Sequence, residues 1–268
     1  MNNEEIQELI AQQVKSAKLL IHRDLELTRA NEQLRSLDKM KTDFISVATH
    51  QLRTPLSAIR WTLSMILKED IGPLTMEQRT LLMKAYESNN RMVKLLGDIL
   101  LSDHIESNSL KPTDETTKIP ELIENLLLEL IPLANHRGVR IVFNHPDPTY
   151  PSLQIDPTHM RAVMQNLLEN AMKYSRTDGT VTLNVFTELP NMRFTVIDSG
   201  IGIPQEQQKT IFKRFFRATN AIKVETDGSG LGLYIVKSII EKNHGTIFFE
   251  SKENEGTTFV ITLPIAKT

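Results

Sequence analysis

At 268 residues the chain is long enough for one or two domains plus an extension, given roughly 100 to 200 residues per domain. With 40% hydrophobic and 24% charged residues it is compositionally globular, which excludes a disordered polymer. A net charge of -2 gives no basic field for nucleic acid or an anionic membrane, and the absence of cysteine excludes disulfides, thiolate catalysis and cysteine-ligated metal.

From Glu4 to about Lys68 the chain has no Gly and one Pro and is rich in Leu, Glu, Gln, Lys and Ala, which predicts one very long helix. Ile6, Gln13, Leu20, Leu27 and Leu34 recur at heptad spacing, with Ile10, Ala17, Asp24, Asn31 and Asp38 as partner positions. A seam that contains Asp24, Asn31 and Asp38 makes a weak, register-ambiguous coiled coil, suited to passing a signal; the alternative is a solvated single helix. The charged first thirty residues do not read as a signal sequence. The longest apolar run, Leu233 to Val236, is far short of the ~20 residues of a membrane helix. The expectation is a cytoplasmic protein, or the cytoplasmic part of a membrane receptor.

Ile71-Gly72-Pro73-Leu74-Thr75 interrupts the helix, and Thr75 with Gln78 forms a capping-box start for a second one ending near Glu106. Its apolar stripe is Leu81, Ala85, Ser88, Met92, Leu95 and Ile99, opposite Ala48, Leu52, Leu56, Ile59 and Leu63. An antiparallel hairpin cannot bury both stripes alone, so a homodimer, a four-helix bundle, is expected. Ser107 to Thr113 reads as a hinge. Beyond it the pattern predicts helices at Ile119 to Asn135, Pro157 to Tyr174 and Ser229 to Asn243. Strands are predicted at Val139 to Phe143, Val181 to Thr187, Met192 to Asp198, Thr246 to Ser251 and Thr257 to Leu263, with a polar stretch from Gly200 to Gly228. Strands in an antiparallel block with helices to one side make an α+β sandwich. The expected domains are 1–37, 38–108 and 109–268.

Gly228, Gly230 and Gly232 cluster at a predicted helix start, where backbone N–H groups can approach phosphate. Alone the signal is weak: it lacks a Walker A lysine, its spacing is not the dinucleotide pattern, and a flexible glycine-rich cap would look the same. Asp198, at a strand end before Gly200 and Gly202, could accept the exocyclic amine of adenine. Asn166, Asn170, Lys173 and Tyr174 share one helical face beside the apolar face of Val163, Leu167 and Ala171. Their alternative reading is a solvated face, though the residue types suit metal, phosphate and base together. Lys209 to Lys223 carries five basic residues and no acid and is interrupted by Phe212, Phe215 and Phe216, like a cationic lid over a polyphosphate.

Asn166 to Tyr174, Asp198 to Pro204, Ile211 to Arg217, Gly228 to Leu233 and Gly256 to Phe259 resemble, in order, the N, G1, F, G2 and G3 boxes of sensor histidine kinases. Phe44 to Leu56 resembles their H box, so the likeness covers residues 38 to 268. It implies an ATP-binding sandwich of the type shared with gyrase, a heat-shock chaperone and mismatch-repair ATPases. By the same resemblance Asn170 would hold Mg²⁺, Lys173 would contact phosphate, Tyr174 would pack on adenine and Asp198 would bind its amino group. Arg217 and Arg214 would reach the phosphates, and Thr257 would support the adenine pocket through water. His50 would be the phosphorylated residue, with a response regulator receiver domain as the next acceptor and a sensor domain upstream outside this chain. Thr54 resembles the residue that orients water when the regulator is dephosphorylated.

The residues sharpen that reading. Hydrolytic relatives carry a Glu where this chain has Asn166, which cannot take a proton from water, so the phosphoryl group must go elsewhere. Pro55 removes the amide that would bond Gln51 and should loosen and bend the turn that carries His50. Gln51 departs from the family's acidic residue after the histidine. A noncatalytic ATP-switched scaffold and a free-standing ATPase are the competing readings; the intact Asn170, Lys173, Asp198 and glycine clusters oppose the first, and Asn166 opposes the second.

Overall fold

The computed structural model describes residues 3–106, 116–145 and 150–265, the side chains of residues 3–12 and 14 excepted. Helix α1 runs Asn3–Leu67, continuing through Pro55. The chain divides between Pro55 and Leu56 into two compact units. In the first, Leu20, Leu27 and Leu34 are all exposed, as is Leu52. His50 and Gln51 are exposed as well, and the Thr54 hydroxyl donates to the His50 carbonyl at 3.4 Å. Proline has no N–H for the Gln51 carbonyl, so this turn carries one fewer backbone bond than its neighbours.

The second unit opens with the last turns of α1 and a loop at Glu69–Thr75. The capping box is present in both directions: the Thr75 N–H donates to Gln78 Oε1 at 2.9 Å and the Gln78 N–H to Thr75 Oγ1 at 3.2 Å. Helix α2, Met76–Glu106, follows. Buried Asn89 donates its amide to the Leu56 carbonyl at 2.9 Å, one polar bond that fixes how α2 lies along the end of α1.

Beyond the hairpin come β1 (Thr116–Thr117), α3 (Ile119–Arg137), β2 (Arg140–Asn144), β3 (Leu153–Gln154), α4 (Pro157–Tyr174), β4 (Thr180–Glu188) and β5 (Asn191–Asp198). A 3-10 turn at Gln205–Thr210 and the short α5 (Thr219–Val224) lie within the polar stretch; α6 (Gly232–Lys242), β6 (Thr246–Lys252) and β7 (Gly256–Pro264) close the chain. The main sheet has the order β2-β4-β5-β7-β6. It is mixed: β4, β5, β7 and β6 pair antiparallel, but β2 pairs parallel to β4. The expected all-antiparallel block fails at that pair because α4 carries the chain back between the two strands, and a helical crossover brings the next strand in parallel.

Helices α3, α4 and α6 cover one face of the sheet. Val181, Leu183 and Val185 of β4, Met192, Phe194 and Val196 of β5, and Phe259, Ile261 and Leu263 of β7 meet Ile123, Leu126, Leu167, Leu168, Ile235 and Ile239 in one core. Alternation along β5 then matters for function. After Met192, Phe194 and Val196, the next residue toward the helices is Asp198, paired across the ladder with Thr257. The same periodicity that builds the core therefore delivers one carboxylate to its edge. Helix α4 begins where Asp156 accepts the N–H groups of Thr158 and His159, at 2.7 and 3.3 Å, with Pro157 in the first turn. The predicted start of α6 was three residues too early. Gly230 has φ of +67°, and the Ser229 hydroxyl accepts the Leu231 N–H at 3.2 Å, so the glycine segment stays a loop up to Gly232.

Candidate nucleotide site

A cavity of about 700 Å³ lies between α2, α4, the ends of β5 and β7, and the loop before α6. Asn166, Asn170, Lys173, Tyr174, Asp198, Gly202, Arg217, Gly228, Gly230, Gly232 and Thr257 all line it. Gly200 does not, but its N–H donates to Asp198 Oδ1 at 2.8 Å. Gly202, with φ of +62°, passes so close to the Lys252 carbonyl that a side chain there would overlap it.

Burial pushes the Asp198 carboxyl up to about 6, and the backbone N–H groups of Gly200 and Thr257 hold it down against that. Such a carboxylate is fixed by two main-chain donors and screened from water, with capacity left to accept from a ligand. Beside it the Thr257 hydroxyl lies 2.9 Å from that of Ser251. The Tyr174 phenol is raised by burial, opposed by the Arg217 cation.

At the other end, burial lowers the Lys173 ammonium; Glu225 opposes the change, and Arg217 and Arg137 add to it. Its Nζ donates to the Asp227 carbonyl. Arg217 donates to the carbonyl of Thr226 at 2.6 Å and to that of Glu225, while its buried Nε has no hydrogen-bond partner. A methyl group on Gly228 would stand 3.2 Å from that Nε and 3.4 Å from Lys173 Nζ. Two cations thus flank a bare stretch of backbone, one of them with an unused buried donor, an arrangement that favours an anion. Asn166 donates to the Ala162 carbonyl at 2.8 Å. Glu169 is the carboxylate nearest in sequence to Asn170, and both its oxygens are engaged: Gln165 donates to Oε1 at 2.7 Å and Lys94 pairs with Oε2.

Arg214 is not at the cavity. Its guanidinium donates to the Ser102 carbonyl at 2.9 Å, pairs with Glu106 at 2.8 Å and stacks over Tyr234, 4.5 Å from the ring centre. The expectation that it reaches phosphate is corrected accordingly: the end of α2 offers it a carbonyl, a carboxylate and a ring together. The sequence reading also missed what α2 contributes. Ser88, Met92 and Leu95, assigned to a dimer seam, line the cavity, as do Arg91, Lys94 and Asp98. Arg91 pairs with Asp227 at 3.2 Å and Ser229 donates to Asp98 at 3.2 Å. Burial raises the Asp98 carboxyl; Lys94 and the Ser229 hydroxyl oppose this.

Among the described residues no group of three or more His, Cys, Asp or Glu could hold a metal ion by itself. Mg²⁺ does not require one, since it keeps water and takes phosphate oxygens with one or two protein ligands, and Asn170, which lines the cavity, carries an amide oxygen of the kind that suits the ion. Among the described residues no helix is long and apolar enough to cross a membrane.

Residues 40–108 match the His Kinase A (phospho-acceptor) domain, and residues 155–267 match the histidine kinase-, DNA gyrase B- and HSP90-like ATPase family. The chain is 30% identical over 246 residues to the circadian input-output histidine kinase CikA of Synechococcus elongatus, covering 91% of this chain and 33% of CikA. It is 33% identical over 233 residues to the sensor protein EvgS of Escherichia coli K12, covering 84% of this chain and 19% of EvgS. The chain therefore spans a third or less of these relatives. Full-length ShkA in complex with AMPPNP has a similar structure, with a TM-score of 0.67 and 26% identity over 84% of this chain and 46% of ShkA. With both domain matches in the order that the H, N, G and F segments follow, the chain carries the catalytic core of a sensor histidine kinase.

Proposed function

We propose that the protein binds ATP with Mg²⁺ in the cavity, phosphorylates itself on His50 and passes the phosphoryl group to an aspartate in the receiver domain of a response regulator. The observation that carries the ATP reading is the pairing, in one cavity, of a buried carboxylate for a base amine (Asp198) with two cations around Gly228 (Lys173 and Arg217). Tyr174 packs against adenine and Thr257 supports the adenine pocket through water. Gly202 and Gly230 shape the loops, and the segment from Gly228 to Gly232 lays its N–H groups along the phosphates. Mg²⁺, held through Asn170, would neutralise phosphate charge.

The chemistry is positioning and charge neutralisation. The unprotonated imidazole nitrogen of exposed His50 forms the bond to the terminal phosphorus, the bond from that phosphorus to the bridging oxygen breaks, ADP leaves, and the other ring nitrogen gives its proton to solvent water. Asn166 offers no base for water, and Glu169 is occupied by Lys94 and Gln165, so hydrolysis in the cavity is slow. Incubation with γ-labelled ATP and Mg²⁺ tests the reading: the label should be stable to alkali and labile to acid, and an acid-stable label would replace histidine with a hydroxyl acceptor. The Thr54 hydroxyl, exposed beside His50, serves phosphatase activity toward the regulator.

Gln51 cannot take the ring proton as an acid would, and bonds to an ionised partner are about twice as strong as neutral ones. Gln51→Glu should therefore autophosphorylate about tenfold faster at saturating ATP, equivalent to about 1.4 kcal/mol. Initial rates that stay level or fall would show that another acceptor already removes the proton.

Residues 1–37 transmit the signal, 38–108 dimerise and carry phosphotransfer, and 109–268 bind ATP. The protein acts as a homodimer. Leu52 and Ile59 of α1 and Leu81 of α2 are 52%, 48% and 62% exposed, apolar surface that a second copy would cover. Leu95 is an unsuitable probe because it lines the cavity. Ile59→Glu, which would bury a charge in the bundle, should cost roughly 2 kcal/mol or more and dissociate the dimer while each hairpin stays folded. Light scattering at micromolar concentration checks this, and a monomeric unaltered protein would remove the claim.

A further inference from the structure

The loop that precedes α6 is approached by α2 as well as by the nucleotide-binding helix α4. Asp227, directly before Gly228, receives Lys173 of α4 at its carbonyl oxygen and Arg91 of α2 at its carboxylate, the latter at 3.2 Å. Arg91 also lines the cavity. Its printed contact with Asp227 is at Nε, and neither terminal amino group of the fork makes a hydrogen bond among the described residues. Both partners are about half exposed, and such pairs contribute little net stability, so the carboxylate is easily exchanged for a better anion. A phosphate is one: guanidinium matches its geometry with two parallel hydrogen bonds, where a lysine offers only a point charge.

The electrostatics of the loop point the same way. Once polyphosphate lies along Gly228 to Gly232, the Asp227 carboxylate is a like charge beside it, and a cation placed between the two relieves that repulsion. Lys173 and Arg217 already address backbone carbonyls of residues 225–227, and Lys94 is committed to Glu169. Arg217 keeps only its buried Nε unused, whereas Arg91 has both terminal amino groups of its fork open to a ligand.

Resting on the ATP reading above, we propose that Arg91 is a phosphate-binding residue supplied by α2, which exchanges Asp227 for the terminal phosphate of ATP. The nucleotide site then includes a residue from outside the ATP-binding domain, and α2 distinguishes a triphosphate from a diphosphate. A purely structural strap between α2 and the loop would not discriminate between the two.

The test is calorimetric titration of the full chain with the nonhydrolysable β,γ-imido analogue of ATP and with ADP, each with Mg²⁺. Arg91→Ala should weaken the analogue about tenfold or more and ADP less than about twofold, as expected for loss of a hydrogen bond to a charged group. Arg91→Lys, which keeps the charge and loses the fork, should fall between Arg91→Ala and the unaltered protein. Equal losses for both nucleotides, no loss, or tighter binding of the analogue would overturn the proposal. An unaltered protein that binds neither nucleotide would overturn the ATP reading itself, a result distinct from any of these.

Discussion

His50→Ala is expected to take up no label from γ-labelled ATP while its nucleotide affinity stays within about twofold of the unaltered protein. The side chain is exposed on α1, so its removal opens no cavity and should leave stability within about 0.5 kcal/mol. None of the groups that line the nucleotide cavity is near it in sequence; they come from α2 onward, between Ser88 and Phe259. Binding and acceptance are thus carried by different parts of the chain, and one substitution should separate them. Retention of an acid-labile, alkali-stable label in His50→Ala would move the acceptor to another of the seven histidines. A label lost together with nucleotide affinity would mean that His50 supports the binding site.

What sequence made legible, and what it did not, follows from how far apart the interacting residues lie. Asn166, Asn170, Lys173 and Tyr174 are placed together by one helix, so helical spacing alone put them on a shared face. Asp198 is delivered by strand alternation after Met192, Phe194 and Val196, again a local rule. The glycine clusters announce close approach through composition. By contrast, Lys94 and Glu169 are 75 residues apart and Ser229 and Asp98 are 131 apart; no periodicity encodes such pairs. The apolar character of Met92 and Leu95 was correctly read as a face seeking a partner, but the pattern carries no address for that partner, and in the structure the face lines the cavity. Arg214 shows the same limit at one residue. The basic run that holds it looks uniform along the chain, yet folding sends Arg217 to the cavity and Arg214 to the end of α2. The parallel β2–β4 pair was missed because strand direction depends on where the intervening helix leads the chain, which neither strand's composition records.

Asp198 supplies a prediction in which affinity and stability move in opposite directions. Its pKa is pushed up to about 6 from 3.8, chiefly by burial. The folded protein therefore holds a proton there that the unfolded chain releases between about pH 4 and 6. The cost of burying the ionised carboxylate is fully present above about pH 6, and it is relieved as pH falls through the folded pKa toward 3.8. A displacement of about 2 units corresponds to roughly 3 kcal/mol, so the nucleotide-free protein gains up to that much from this group on acidification. Adenine's amine needs the ionised acceptor, so nucleotide affinity should fall by up to about tenfold for each pH unit below about 6. Asp198→Asn should remove that pH dependence and weaken nucleotide about tenfold to a hundredfold at pH 7.5. The cause is that the carboxamide turns one acceptor into a donor, which must face either the main-chain N–H groups of Gly200 and Thr257 or the amine of the base. Titrations of both proteins between pH 5 and 8, paired with denaturant unfolding at each pH, isolate the group as a difference between the two. If affinity in the unaltered protein is flat across that range, the carboxylate is not the acceptor for the base. If Asp198→Asn binds as well as the unaltered protein, the base is held by Thr257 and Tyr174 instead.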